Sequence, residues 1–391
     1  MERLAVVLAL LSACGRFGFH DLPPPPDVDA ATTPDAPDPT LHVSVTTDRM
    51  AGPPTLTSIG DLPAGTAGLS LREALTIAAN HPGPDLVVFD PAVFPVATPV
   101  TLALGAELVI AGDATTLDAT GAGVVLAPGA GFTGALVRVT GADDIVDGLT
   151  LQQGDLGIAA TGVTGLIVRH VHAIDTVGEA VRLESVANVT VEDTRIDHAG
   201  PAPIRVVSSI DTTIQRTFVA LAAKTGVVYG VRIESSLRIH VLANTLDPGT
   251  AWMVSLDNSS DNEVVGNIID GGDTGIALTG TSDRNYLFRN VVIAPAADSI
   301  YLDSTTHDNT ALNNTFYLAP DITDDGVNTT AANNLLSASP ADFVAPASYD
   351  FHLVAGSTAI DAATDVGQDM LPDAPTRYLG AGPDLGAVES Y

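Results

Sequence analysis

Val181-Arg182-Leu183-Glu184 returns as Ile204-Arg205-Val206-Val207 and again as Val231-Arg232-Ile233-Glu234. The same form opens at Ile158 before these three and at Val254, Ile276 and Ile300 after them. The starts lie 23, 23, 27, 23, 22 and 24 residues apart. Alternation with a period of two marks a strand with one buried and one exposed face, and a step held near 23 residues marks a structural repeat. A second apolar row keeps that step at Val168, Val191, Ile214, Leu242, Val265, Phe288 and Leu312. Two residues beyond each lies a third row: His170, Asp193, Arg216, Asn244, Asn267, Asn290 and Asn314. Identical Asn side chains stacked about 4.8 Å apart can bond the turn backbone and one another. Asn also tolerates the left-handed backbone of a sharp corner. Strands, turns and corner amides sharing one period predict an all-β chain, a right-handed parallel β-helix solenoid with coils of about 22–26 residues.

Composition agrees with that expectation. Hydrophobic residues make up 46% of the 391, aromatics only 5%, so the core must be built from Ala, Val, Leu and Ile. The acids are 38 Asp against 9 Glu, and Asp is a turn former where Glu is a helix former. Net charge is −31, with 15 Arg and the single lysine Lys224. Such a surface repels phosphate backbones, which excludes nucleic acid as a partner. Cys14 is the only cysteine, so neither an intrachain disulfide nor a Cys-based zinc site can form.

Around Cys14 the sequence explains itself. Arg3 precedes an apolar run from Leu4 to Leu11, too short to span a bilayer. Leu11-Ser12-Ala13-Cys14-Gly15 then resembles the bacterial lipobox. That resemblance implies removal of residues 1–13, a diacylglycerol on Cys14 and, with Gly15 in place of Asp, sorting to the outer membrane. Residues 14–40 are a linker rich in Pro, Asp and Ala, an extended spacer. The expected layout continues with a β-helix over 41–345 and a closing segment over 346–391. Ser70-Leu71-Arg72-Glu73 is a capping box that opens a short helix with Leu71, Ala74, Leu75 and Ala78 on one face. Such a helix suits a lid over the open first coil.

The tandem pattern over residues 85–345 resembles the parallel β-helix repeats of the pectin-lyase-like superfamily. Ser70 to Leu75, followed by Asp85 to Phe89, is similar to the SLREA motif that precedes many bacterial β-helix surface proteins, with Leu69 where many have Cys. The stretches Asp350 to Leu353, Gly356 to Asp361 and Gly382 to Glu389 are similar to the tail that often closes them. The resemblance implies fold and export. It leaves activity open, because the superfamily holds lyases, hydrolases, epimerases and non-enzymatic surface proteins.

Candidate chemistry gathers on the first strand. Its outward positions put Arg182, Arg205 and Arg232 on three successive coils, accompanied by Glu184 and Glu234. Three guanidinium forks in a row could clamp the carboxylates of an acidic polysaccharide; alternatively each arginine pairs with a neighbouring acid and adds little. Nearby in the sequence stand Arg169, His170, His172 and Asp175, then Asp197 and His198. Asp175 and Asp197 are expected to share a corner continued by Asp247, Asp270 and Asp298, suited to acid–base work or to a calcium ion. Ile196-Asp197-His198 faintly resembles the Asp-His pair of pectate lyases. Lys224, in the longest coil, could serve as the base of a uronate β-elimination beside Arg205 and Arg232. The Asn-Thr-Asp and Gly-His-Gly sets of polygalacturonases, the Asp-Pro-His of mannuronan epimerases and the Arg-x-Pro-x-x-Arg of pectate lyases are missing. The expectation is therefore a lipid-anchored envelope protein that binds a polysaccharide or surface partner. The alternative is a lyase or hydrolase of uronate-rich glycans.

Overall fold

The structure, a computed structural model, describes residues 40–220, 229–249, 252–367 and 380–388. Cys14, the linker up to residue 39 and Lys224 lie outside the described residues. Within the unit Asp38–Tyr391, most coils contribute three short strands, and successive coils extend three parallel sheets of 10, 12 and 11 strands among the described residues. Sheet I runs from Leu108–Ile110 to Ile322–Asp324, sheet II from Thr40–Val43 to Thr330–Ala332, and sheet III from Val100–Leu104 to Leu335–Ala338. The fold is the right-handed parallel β-helix that the repeat predicts.

Every step of the first apolar row is in register. Ile158 faces Val181, and the row continues through Ile204, Val231, Val254, Ile276 and Ile300. All seven are fully buried, each contributing roughly 1.5–3 kcal/mol by removal from water. The second row departs from expectation at the longest coil. Ile214 faces Val241, not Leu242, and the core positions beyond it are Val264, Leu287 and Ala311. Leu242, Val265, Phe288 and Leu312 are their outward neighbours. The mistake has a physical cause: the residue pairs Val264-Val265 and Leu287-Phe288 are apolar on both faces of the pleat. Val265 and Phe288 are buried too, on the side where Arg289 Nε donates to Gly386 O of the closing segment at 3.0 Å. A strand covered on both faces gives no parity to read.

The amide row slips by the same residue. His170, Asp193 and Arg216 occupy the left-handed corner, followed there by Ala243, Gly266, Arg289, Asn313 and Asn333. Asn244, Asn267, Asn290, Asn314 and Asn334 stand one place later, just past the corner. Each Nδ2 from Asn244 to Asn314 donates to the Oδ1 of the next coil at 3.0 Å, and each Oδ1 from Asn267 onward also accepts the backbone N–H of the Asn one coil back. The second amide hydrogen goes to a core strand, as from Asn267 to Val241 O at 2.8 Å. A shorter row, Asn262, Asn285 and Asn309, repeats the device at another corner.

The expected helix, α1, spans Leu71–Asn80; Ser70 accepts from Glu73 N, while the Glu73 carboxylate accepts from Ser70 N at 2.9 Å. Its apolar face, Leu71, Ala74, Leu75 and Ala78 with Ile77, is buried in the main core. At the other end Phe343–Ala345 and Asp350–Leu353 pair antiparallel. Phe343, Phe351 and Leu353 form a second small core against Val291 and Ile293 of sheet III.

Candidate functional site

Sheet I carries the arginines where its pleat dictates. Arg182 faces Arg205, and Arg205 faces Arg232, so the three guanidinium groups rise on one outward strip. Like charges on adjacent strands repel unless acids are interleaved, and acids are there. Arg182 donates to Glu184 on its own strand at 3.1 Å. Arg205 Nε donates to Glu234 on the next coil at 2.6 Å and lies 3.6 Å from Glu179. Arg232 pairs with the same Glu234 oxygen at 3.1 Å, and its guanidinium lies 4.4 Å from the Tyr229 ring centre. Trp252 follows Tyr229 in register, the two rings 6.1 Å apart and edge to face at 76°. The arrangement is a charge-balanced strip ending in an aromatic pair.

Of these residues, sequence reasoning named Arg182, Arg205, Arg232, Glu184 and Glu234 and missed Glu179, Tyr229 and Trp252. No signal was available for the rings: each stands two positions before Val231 or Val254, where strict alternation places a side chain with the core row.

The proposed catalytic residues are not gathered on this strip. Asp197 lies on sheet III, where it accepts from Arg195 Nε at 2.8 Å and pairs with His172 Nε2 at 2.7 Å. Burial works to raise its pKa, and the bonds from Arg195 and His172 outweigh it, so the carboxyl is held below its usual range. A carboxylate kept ionised in this way is a weak base and no acid near neutrality. His198 is a left-handed corner residue with Asp175 Oδ1 at 3.3 Å. The shared Asp corner is also corrected: Asp197 pairs with Ile174, leaving Asp175 level with His198, and Asp298 belongs to sheet I, opposite Thr274. Asp247 and Asp270 do approach each other, and the Tyr349 hydroxyl donates between them. There the closing segment is fastened to sheet III.

With this geometry in view, a family model described as periplasmic copper-binding protein (NosD) matches residues 139–338, just over half the chain. No curated protein matches. Several solved structures resemble the chain, three of them as follows. Pectate lyase Pel9A is 14% identical, with 91% of this chain and 98% of that one covered and a TM-score of 0.46. ORF18 of Geobacillus virus E2 is 11% identical, with 67% and 55% covered and a TM-score of 0.48. A GH136 lacto-N-biosidase from Eubacterium ramulus is 11% identical, with 76% and 68% covered and a TM-score of 0.39.

Copper asks for several imidazole, thioether or thiolate donors converging on one point. Among the described residues no group of three or more His, Cys, Asp or Glu is placed to hold a metal ion. Several histidines instead stand beside single carboxylates: His170 with Asp147, His240 with Glu263, His307 with Asp283 and His352 with Asp350. The described residues therefore offer no set of imidazole, thiolate or carboxylate donors that fits a copper centre.

Proposed function

The chain belongs to the NosD family, described as periplasmic copper-binding proteins, and on that premise we propose an exported, lipid-anchored β-helix of the bacterial cell envelope that binds a polysaccharide or surface partner on sheet I. A periplasmic family and a solenoid body support the envelope location. Cys14 in its lipobox and the spacer behind it support an anchor in the outer membrane. The observation that carries the binding reading is the strip of Arg182, Arg205 and Arg232, in register over three coils with Glu179, Glu184 and Glu234 among them. Solenoids present such extended faces to long ligands.

Fractionation and retention test the two halves. Full-length protein expressed in a bacterial host sediments with the outer membrane, while Cys14→Ser is released into the soluble periplasmic fraction. Purified envelope polysaccharide immobilised on resin retains the wild type, and Arg205→Ala elutes earlier. A cytoplasmic location, or passage through the resin without delay, overturns the reading.

A further inference from the structure

We infer that the ligand of sheet I is a neutral, hydroxyl-rich glycan seated on Trp252 and Tyr229, with Arg232, Glu234, Arg205 and Glu179 as its hydrogen-bonding neighbours. The inference rests on the reading above and narrows it.

Charge comes first. Two guanidinium groups and two carboxylates share this end of the strip, through contacts of 2.6, 3.1 and 3.6 Å. A polyanion reaching either arginine would be set against the Glu234 and Glu179 carboxylates beside them, while the remaining field of a chain of charge −31 opposed its approach. A sugar hydroxyl meets no such obstacle. It donates to a carboxylate and accepts from a guanidinium at once, so a paired Arg–Glu cluster offers it both partners without any change of charge.

The aromatic pair supplies the rest. This chain is sparing with rings and spends several on packing: Phe94 and Phe316 are fully buried, and Phe343 and Phe351 nearly so. Tyr229 and Trp252, by contrast, lie at the surface and are only partly buried. Trp252 is the only tryptophan in 391 residues, and it stands beside the arginine strip, not in the core. The polarised C–H face of a pyranose ring packs against the negative face of an indole while its equatorial hydroxyls reach sideways. Sideways from the pair lie Arg232, whose guanidinium already rests on Tyr229, and Glu234. The two cross-strand rings stand edge to face on adjacent coils, with Arg232 over Tyr229, so Trp252 is assigned the stacking face and Tyr229 buttresses it.

The single tryptophan is also the reporter. Full-length protein is titrated with cello- and chito-oligosaccharides as neutral probes and with oligogalacturonate and oligomannuronate as anionic ones, following Trp252 emission. Neutral oligosaccharides should shift the emission and shield it from iodide, with little dependence on salt. In calorimetry Trp252→Ala should weaken binding about tenfold, the equivalent of one lost ring contact, and Trp252→Phe should recover most of it. Arg284→Gln, at a corner ahead of the sheet II strand Tyr286–Phe288, should bind as the wild type does. Binding of the anionic probes alone, fading as salt rises, overturns the neutral class and leaves the polysaccharide reading intact. Neutral binding indifferent to both Trp252→Ala and Tyr229→Ala overturns the site. No binding of any probe, together with no retention on envelope polysaccharide, overturns the inference and the reading together.

Discussion

Two rows of identical side chains climb this solenoid, and they are built on opposite terms. Asn244, Asn267, Asn290, Asn314 and Asn334 stack buried or nearly so with nothing between them, because an amide both donates and accepts. Arg182, Arg205 and Arg232 stack on the outside, and a guanidinium only donates. Their row stands because Glu184, Glu179 and Glu234 are interleaved. A neutral row can therefore be sealed into the wall of the helix, while a charged row must stay near water and bring its counter-ions. The inner row contributes to stability and the outer row is available for binding.

The largest test of that contrast is a charge placed in the amide row. Asn267→Asp keeps the shape and removes the donor, taking the side-chain bond from Val241 O and setting a buried carboxylate against Asn290 Oδ1. The expected loss is about 3–5 kcal/mol above pH 7, read from the urea midpoint. A loss under 1 kcal/mol would mean that the row is not the stabilising element described here.

The protein has already placed an acid where a later coil has an amide. Asp144 is fully buried and accepts the Thr115 N–H at 2.8 Å, as Asn262 accepts that of Ile239. Burial, with Asp113 and Asp143 nearby and the Thr115 bond opposing, pushes its carboxyl up to about 7. Between about pH 4 and pH 7 the folded state keeps a proton that the unfolded chain has released, so stability falls as pH rises through that window and levels off above it. Asp144→Asn should remove this slope. Paired urea curves should show a gain on the order of 2 kcal/mol at pH 8 and little difference at pH 4. An equal change at both pH values would show that ionisation is not the cause.

Effects shrink on the outer row. Arg205→Gln leaves Glu179 without its partner while Glu234 keeps Arg232, and should cost about 1 kcal/mol or less, diminishing in molar salt. Arg182→Gln breaks an exposed pair and should lie within about 0.5 kcal/mol of the wild type. Thermal melts at low and high salt check both.

The same contrast explains what could be read from the sequence. Ile158 through Ile300 were legible because each is apolar inside and polar or small outside, so period and parity were both visible. The arginine strip followed from that parity. The slip at Leu242 arose where apolar residues fill both faces, and the amides were placed in the corner itself because the coil lengthens between Arg216 and Asn244. Glu179 and Trp252 were not found because they belong to turns and strand ends, where no period constrains the residue type. Asp197 and His198 were adjacent in sequence, but adjacent residues on a strand point to opposite sides, and a corner intervenes.

The 23-residue step carries one more consequence, for how the chain reaches its shape. Parallel strand pairs within the repeat join residues roughly one coil apart, as Ile204 joins Val231 and Val231 joins Val254, so most of the strand pairing closes loops of about one coil. Coils can be laid down one after another from α1 onward, each new edge templated by the last. A half-made molecule is then a shorter solenoid with one unpaired rim, and the antiparallel strands Phe343–Ala345 and Asp350–Leu353 follow the last strand of sheet III.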